Sequence, residues 1–149
     1  MTKKAASTET NGFSAEERAA MKERAAELRA QGKKGAKKAD GQKAVLAAIA
    51  AMAPEDRALA ERVHVVVTTT APELAPKTWY GMPAYADADG KAVVFFQDAG
   101  KFKARYSTLG FQDTANLDDG YLWPTSFALT GWSPAVEAKV VALVKAATS

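Results

Sequence analysis

The sequence predicts an α+β fold: an antiparallel β-sheet of about five strands packed against N-terminal and C-terminal helices, with a basic N-terminal helical arm. Residues 1–70 are rich in alanine and show helical periodicity, whereas twelve of the thirteen aromatic residues fall between Trp79 and Trp132. In that aromatic half, short apolar runs alternate with turn residues, as in a meander of strands. Helices collected before and after such a run of strands are typical of α+β proteins.

The composition is that of an ordinary globular protein. The chain has 149 residues, of which 48% are hydrophobic and 25% are charged, enough for one domain with a core. It has no cysteine, which excludes disulfide bonds and thiolate chemistry. The start, MTKKAASTET, has no apolar segment, and the longest apolar run, 44–53, is shorter than the roughly 20 residues that span a bilayer. We therefore expect a cytoplasmic protein that does not enter membranes.

The positive charge is concentrated near the N-terminus. Residues 1–40 hold ten Lys or Arg against six Asp or Glu, a net charge of +4, whereas residues 41–149 hold ten against eleven, a net charge of −1. We therefore predict a basic arm over 1–39, with one weakly docked helix and a flexible linker, followed by a domain over 40–149. Such an arm can attract anionic partners, or it can be a solvated tail that aids solubility.

The arm contains the first predicted helix. Ser14 and Glu17 have the spacing of a capping box, and Gly32 is a plausible stop. We expect this helix to bury little surface, because its apolar stripe is narrow. That stripe consists of Met21, Ala25 and Leu28. The lysine-rich segment KKGAKKADG then predicts the flexible linker.

Two further helices precede the strands. Asp40 can cap the second helix, and Pro54 can begin the third, which ends before Pro72. The segment VHVVVTTT would also suit a strand by its β-branched residues, but its continuity with EDRALAERV favours a helix. The predicted buried faces are Val45, Leu46, Ile49 and Met52 on the second helix, and Leu59, Val63, Val66, Val67 and Thr70 on the third.

Five strands and a last helix complete the predicted fold. We place the strands at about 77–81, 84–87, 92–97, 101–109 and 125–130, with the third in the centre of the sheet because it is apolar on both faces. The fourth strand alternates, with Phe102, Ala104 and Tyr106 on one face and Lys101, Lys103 and Arg105 on the other. Ser133 caps the last helix, whose buried stripe contains Val136, Val140, Leu143 and Val144.

The stretch TWYGMPAY, residues 78–85, is the candidate functional segment. Pro83 donates no backbone hydrogen bond and Gly81 permits unusual backbone angles, so we expect a kink at Met82-Pro83 between two strands. Adjacent strand residues face opposite sides, and we expect Trp79 in the helix-covered core and Tyr80 on the other face. The stretch either presents its aromatic residues to a ligand or forms a packed corner.

Four segments in order, PKTWYGMPAY, KFKARYSTLGF, NLDDG and WPTSFAL, resemble the YdhG-like domain-of-unknown-function family 1801. The resemblance covers about residues 42–147, and YGMPAY is its most specific part. That family is grouped with YjbR and frataxin-like (CyaY-like) proteins, which implies a small α+β domain and a function as an intracellular iron chaperone. An acidic helix ridge supports iron binding in frataxin-like proteins, whereas the first helix here alternates acid and base.

The residues favour a non-enzymatic protein that binds a small ligand on an aromatic-lined sheet face, as a monomer or weak homodimer. The candidate ligand-binding residues are Tyr80, Met82, Tyr85, Phe96, Lys103, Arg105 and Trp123. The alternatives are binding of nucleic acid or another anionic polymer through Lys101, Lys103, Arg105 and the arm, and the iron chaperone that the resemblance implies. We expect no catalytic residues and no cofactor, since no nucleophile motif is present.

The sequence offers little for a metal site. Glu61 and His64 have the spacing found in di-iron bundles, but those sites need a second such pair and the chain has one histidine. We expect His64 to be a partly exposed structural residue beside the buried helix face. The loop carboxylates Asp113, Asp118 and Asp119 do not fit the spacing of a calcium loop.

Overall fold

The computed structural model describes residues 13–34 and 38–149. They form five helices and a five-stranded antiparallel sheet, which confirms the predicted α+β class. Parts of the predicted arm and linker, residues 1–12 and 35–37, lie outside the described residues. In the part of the chain described, no helix combines the length and apolar character needed to cross a membrane.

The helices follow the predicted order. Ser14 and Glu17 form the capping box at the start of the first helix: Ser14 N–H donates to Glu17 Oε1 at 2.8 Å, and Glu17 N–H donates to Ser14 Oγ at 3.0 Å. This helix continues past Gly32, so that predicted stop is wrong; glycine weakens a helix without ending it. The helices are α1 (Ala15–Lys34), α2 (Lys38–Ala50), α3 (Pro54–Thr70), α4 (Ala99–Phe102) and α5 (Pro134–Ala147).

The sheet is a simple meander in which each strand pairs with the next one along the chain. The third strand is central, as predicted from its apolar residues on both faces. The strands are β1 (Ala75–Trp79), β2 (Met82–Ala86), β3 (Ala92–Gln97), β4 (Ser107–Phe111) and β5 (Ser126–Leu129).

The two faces of the sheet have different neighbours. The inner face packs on α2, α3 and α5 and forms the main core, where Tyr85, Phe96 and Leu109 are almost fully buried. Outer-face residues alternate with these along each strand, and α1 lies over the outer face at β1, where Arg24 lines a cavity together with Lys77. The sheet thus separates the main core from the docking site of α1.

Two predicted buried faces need correction. Leu46 is 46% exposed and Met21 is 40% exposed, although both belong to predicted apolar stripes. On α2 the packed stripe runs through Val45 and Ile49, and Leu46 is rotated about 100° around the helix from Val45. On α1 Ala20 is the one buried apolar residue among the described side chains, and the helix docks through polar groups instead.

The predicted fourth strand begins too early. Residues 99–102 form the single turn α4, Lys103 has a left-handed backbone with φ 53°, and β4 starts at Ser107. Contacts from distant residues hold this turn: Gly100 N–H donates to Asp56 Oδ2 at 2.9 Å, and Ala99 N–H donates to Ser107 Oγ at 3.0 Å. The alternation of apolar and basic residues from which a strand was predicted does not report these hydrogen bonds.

Candidate functional site

The stretch TWYGMPAY forms a tight hairpin rather than a kink. Tyr80 and Gly81 form the two-residue turn between β1 and β2, and Trp79 pairs with Met82 across it. Their φ angles of 54° and 77° are both left-handed, as in a type I′ turn. Gly81 adopts such an angle readily, whereas a bulky residue such as Tyr80 does so at a cost in conformational energy.

Met82 and Pro83 lie inside β2, so the prediction of an interruption there is wrong. Pro83 is opposite Thr78 on β1, and the pairing of β2 with β3 starts one residue later, at Ala84 opposite Phe95. The pairing with β3 therefore does not include the residue that lacks an N–H donor. Pro83 is therefore accommodated because the hydrogen bonds between β2 and β3 begin after it.

The carboxylate of Glu27 on α1 holds the turn. Its Oε1 accepts the Tyr80 N–H and its Oε2 accepts the Gly81 N–H, each at 3.1 Å. The Arg24 guanidinium lies 5.6 Å from the centroid of the Tyr80 ring, and the Trp79 ring meets that ring edge-on at 5.1 Å. Two successive backbone N–H groups that bind one carboxylate form an anion-binding nest, and these contacts stabilise the left-handed tyrosine.

Two ion pairs also dock α1 and remove the predicted basic stripe. Lys101 Nζ lies 2.6 Å from Glu23 Oε1, and Lys103 Nζ lies 2.8 Å from Glu16 Oε2. The hydrogen bond between Lys103 and Glu16 raises the pKa of the lysine and lowers the pKa of the carboxyl. Because α4 replaces the predicted strand, Arg105 does not share a strand face with these lysines.

The candidate ligand-binding residues do not form one wall. Tyr85 and Phe96 are 1% and 0% exposed and face the main core, whereas Met82 is on the outer face and is also buried. Tyr80 is 36% exposed at the hairpin turn. Trp123 is half-buried in the segment between β4 and β5. No single surface of the described structure presents these side chains together.

Trp79 also departs from its predicted position. It is half-buried on the outer face, where its ring centroid lies 5.2 Å from that of Phe95, and it is outside the main core. The ring of Phe95 lies directly over Gly110 on β4, where a Cβ atom would collide with it. The outer face therefore has its own small aromatic layer beside α1.

His64 binds a neighbouring side chain of the core. Its Nδ1 lies 2.8 Å from the hydroxyl oxygen of Tyr85. Burial lowers the pKa of His64 and raises the pKa of Tyr85, so both groups are neutral near pH 7. Among the residues that the structure describes, no three His, Asp or Glu side chains are grouped so that they could hold a metal ion.

A cleft between α3, α5 and the segment before α5 brings together aromatic and basic side chains. It consists of two adjoining cavities of about 800 Å³ and 420 Å³, both lined by Arg62 and Trp132. The smaller cavity is also lined by Arg105 and Tyr106, whose guanidinium and ring centroid are 5.0 Å apart. Trp132 Nε1 donates to Glu137 Oε1 at 3.0 Å, which fixes the indole at the cleft wall.

The two guanidinium groups of the cleft have free donors. Within residues 13–34 and 38–149, Arg62 makes no hydrogen bond or ion pair, and Arg105 makes the ring contact with Tyr106 alone. Tyr106 is 37% exposed, so its ring remains accessible from the cleft. Planar guanidinium groups beside exposed aromatic rings can bind a flat anion by hydrogen bonds and stacking.

The floor of the smaller cavity is polar and structural. Asp56 is 9% exposed, and its carboxylate accepts the Gly100 N–H and, at 3.3 Å, the Ser107 hydroxyl. Asp98 lies nearby and is 4% exposed; burial and the charge of Asp56 raise the pKa of its carboxyl. Asp56 and Ser107 therefore hold α4 in place at the floor of this cavity.

No protein-family model, curated protein or solved structure matches the chain. The resemblance to the YdhG-like family therefore stays a prediction.

Sequence reasoning missed three of the four main cleft residues. Trp132 had a usable signal, because it precedes the Ser133 cap, where an apolar residue often contacts the fourth residue of the helix. In the structure that contact is its hydrogen bond to Glu137. Arg62 lies on the polar side of α3 and Tyr106 lies just before β4, and nothing in their local sequence marks them.

Proposed function

We propose that this protein binds a small organic anion with a planar ring, and that it does so without catalysis, in the cleft between Arg62 and Trp132. The observation that carries this proposal is the pair of free guanidinium groups, Arg62 and Arg105, on a cleft that also has two aromatic walls. The class of function is the one predicted from the sequence, but the site is different.

The guanidinium groups give the site its charge preference. A carboxylate, sulfonate or phosphate can accept two parallel N–H bonds from one guanidinium, which a lysine cannot offer in the same geometry. The guanidinium of Arg105 already lies against one side of the Tyr106 ring. A planar ligand can therefore stack on the accessible aromatic surface while its anionic group reaches Arg62.

The charges around the cleft favour a small molecule over a polymer. Glu55 and Glu137 line the same cavities as Arg62, Arg105 and Lys145, so the cleft offers a few local cations and lacks the continuous positive surface that the repeated phosphates of a nucleic acid need. Polymer binding was predicted to use Lys101, Lys103, Arg105 and the arm, and the ion pairs with α1 occupy two of these three body cations.

Fluorescence titration with 8-anilinonaphthalene-1-sulfonate, an aromatic anion with a planar naphthalene ring, tests the proposal. We expect saturable binding of one equivalent, weakened about tenfold by Arg62→Gln and also weakened by Trp132→Leu. Arg57→Gln is the matched control, since Arg57 is exposed on α3 and does not line the cleft. Equal binding by the Arg62→Gln and Arg57→Gln variants would refute the site.

Native mass spectrometry then addresses the natural ligand. Protein purified under gentle conditions from the cells that make it is compared with its Arg62→Gln variant. We expect a small molecule retained by the parent protein and lost from the variant.

A further inference from the structure

A second cavity lies between α1 and the outer face of the sheet, and it is strongly basic. It has a volume of about 260 Å³. Arg24 comes from α1, Lys77 and Trp79 come from β1, and Lys91 and Asp113 come from the segments flanking β3 and β4. Three cations therefore line this cavity against one carboxylate, an excess of two positive charges.

Arg24 has a buried donor without an acceptor. Its Nη1 atom is shielded from solvent and has no hydrogen-bond partner among the described residues. This atom forms an ion pair with Glu27 Oε1 at 3.6 Å, which is too long for a hydrogen bond, and that oxygen already accepts the Tyr80 N–H. A guanidinium stays charged at all accessible pH values, so a buried unpaired N–H on it is costly and calls for an acceptor.

Lys77 is fixed at the same cavity. Its Nζ donates to the carbonyl oxygen of Gly90 at 2.6 Å, which leaves further N–H donors on the ammonium group. Burial and the charge of Arg24 lower the pKa of Lys77, while Glu27 and Asp87 act in the opposite direction. A bound anion would offset both the burial and the repulsion.

The acidic neighbours of Lys77 are already used by backbone groups. Asp87 Oδ1 accepts the N–H groups of Asp89 and Lys91 at 3.0 Å each, and Glu27 accepts those of the hairpin turn. The side chain of Lys91 is exposed and makes no ion pair with the described residues. The carboxylates beside the cavity thus have acceptors in use by backbone N–H groups, while their charges still offset part of the positive charge of Arg24 and Lys77.

We propose that this cavity binds a phosphate group, held by Arg24, Lys77 and Lys91 beside the ring of Trp79. A phosphate carries a charge of about −1.5 to −2 near neutral pH and has several strong acceptor oxygens, which suits the three cations that line the cavity and their free N–H donors. Because Arg24 belongs to α1 and Lys77 to β1, a bound phosphate links the helix to the sheet. The docking of α1, which buries little apolar surface, is then strengthened by the ligand.

Isothermal titration calorimetry at constant ionic strength tests the site, with inorganic phosphate on the parent protein and with phenyl phosphate on the Arg62→Gln variant, whose cleft has lost a guanidinium. We expect one equivalent to bind, with affinity lowered about tenfold or more by Lys77→Met and by Lys91→Met. Lys22→Met is the matched control, because Lys22 is exposed on α1 and does not line the cavity. Tighter binding of phenyl phosphate assigns a phosphorylated ring compound as the ligand, and tighter binding of inorganic phosphate assigns the free ion; both support the site.

A second variant separates this site from the cleft. Arg62→Gln removes a guanidinium of the cleft, and we expect it to leave phosphate binding unchanged while it weakens binding of the aryl sulfonate. Phosphate should also slow tryptic cleavage within α1 of the parent protein but not of the Lys91→Met variant. The proposal is overturned if phosphate fails to bind, or if the Lys77, Lys91 and Lys22 variants all bind it as the parent does.

Discussion

The Nδ1 atom of His64 on α3 lies 2.8 Å from the hydroxyl oxygen of Tyr85 on β2, and this bond joins a core helix to the sheet. It connects the one histidine of the chain to the last residue of the YGMPAY stretch. The histidine that we expected to be a partly exposed structural residue is a hydrogen-bond partner of a core tyrosine. Two predictions rest on this pair.

Substitution of Tyr85 by phenylalanine should lower the free energy of unfolding by about 1 kcal/mol, because the ring keeps its packing while the half-buried Nδ1 of His64 loses its partner. Urea denaturation measures this change. Tyr121→Phe is the control, since Tyr121 is fully exposed and should be neutral. An equal effect of both substitutions would mean that the hydrogen bond adds nothing.

The same pair predicts a dependence of stability on pH. Burial lowers the pKa of His64 from its ordinary value near 6.5, so the folded protein binds a proton less readily than the unfolded chain. The stability due to the neutral imidazole is complete above about pH 7 and is lost as the pH falls below about 6.5. His64→Gln removes this titration, so the parent should lose more stability than the variant on acidification. Urea denaturation of both proteins across that range gives the comparison, and parallel curves would contradict it.

Gly41 lies where α2 packs closely against β1. A Cβ atom there would meet the carbonyl oxygen of Pro76, a backbone atom that cannot rotate away. Alanine in place of a helical glycine usually gains up to about 1 kcal/mol, but Gly41→Ala should instead cost about 1–3 kcal/mol through overpacking. At Gly131 no described atom lies within 4 Å of an added Cβ, so Gly131→Ala should have little effect on the thermal midpoint.

Gly81 combines a positive φ with crowding. A Cβ atom there would strain the backbone and collide with the ion pair between Glu23 and Lys101. We expect Gly81→Ala to cost about 1–2 kcal/mol and to make α1 more susceptible to protease. Gly90→Ala carries a similar strain, with φ 83°, but no described atom lies within 4 Å of the added Cβ. It should therefore cost stability without releasing α1, and equal protease sensitivity in the two variants would refute the contact.

Asp98 is a buried carboxyl whose pKa is raised by burial and by the charge of Asp56. The folded state therefore favours the protonated form, and the ionised form costs stability as the pH rises through the raised pKa. Asp98→Asn should increase the thermal midpoint at neutral pH and leave it nearly unchanged at about pH 3, below the ordinary pKa of an aspartic acid, where the carboxyl of the parent is protonated. A lower midpoint of the variant at neutral pH would show that the carboxylate is needed.

The elements that local sequence could predict are those whose cause is local. The capping box of Ser14 and Glu17, the Ser133 cap and the apolar periodicity of α3 are short-range patterns, and all three are present in the structure. The segment VHVVVTTT is helical despite its β-branched residues, because it continues a helix whose apolar face is already buried.

The features that were missed depend on contacts between distant residues. Asp56 contacts Gly100 across 44 positions, and Lys101 contacts Glu23 across 78. No feature of the local sequence therefore contradicted the early start predicted for β4. The cleft is of the same kind, since Arg62 and Trp132 are 70 positions apart in the sequence and meet only when α3 and α5 pack together. Alternation and periodicity report which side of an element is apolar, and they do not report which polar side chains will meet.

The meander of the sheet implies an order of events as the chain is made. Each strand pairs with the next one along the chain, so hairpins can close over short loops, which favours rapid folding. The first helix is synthesised early, yet its partners on the body, from Tyr80 to Lys103, emerge from the ribosome only more than fifty residues later. Its carboxylates must stay in water until the β1–β2 hairpin and α4 exist, and a helix that waits in this way has to remain soluble by itself. The alternating charges and exposed alanines of α1 fit a helix that stays in water during that time.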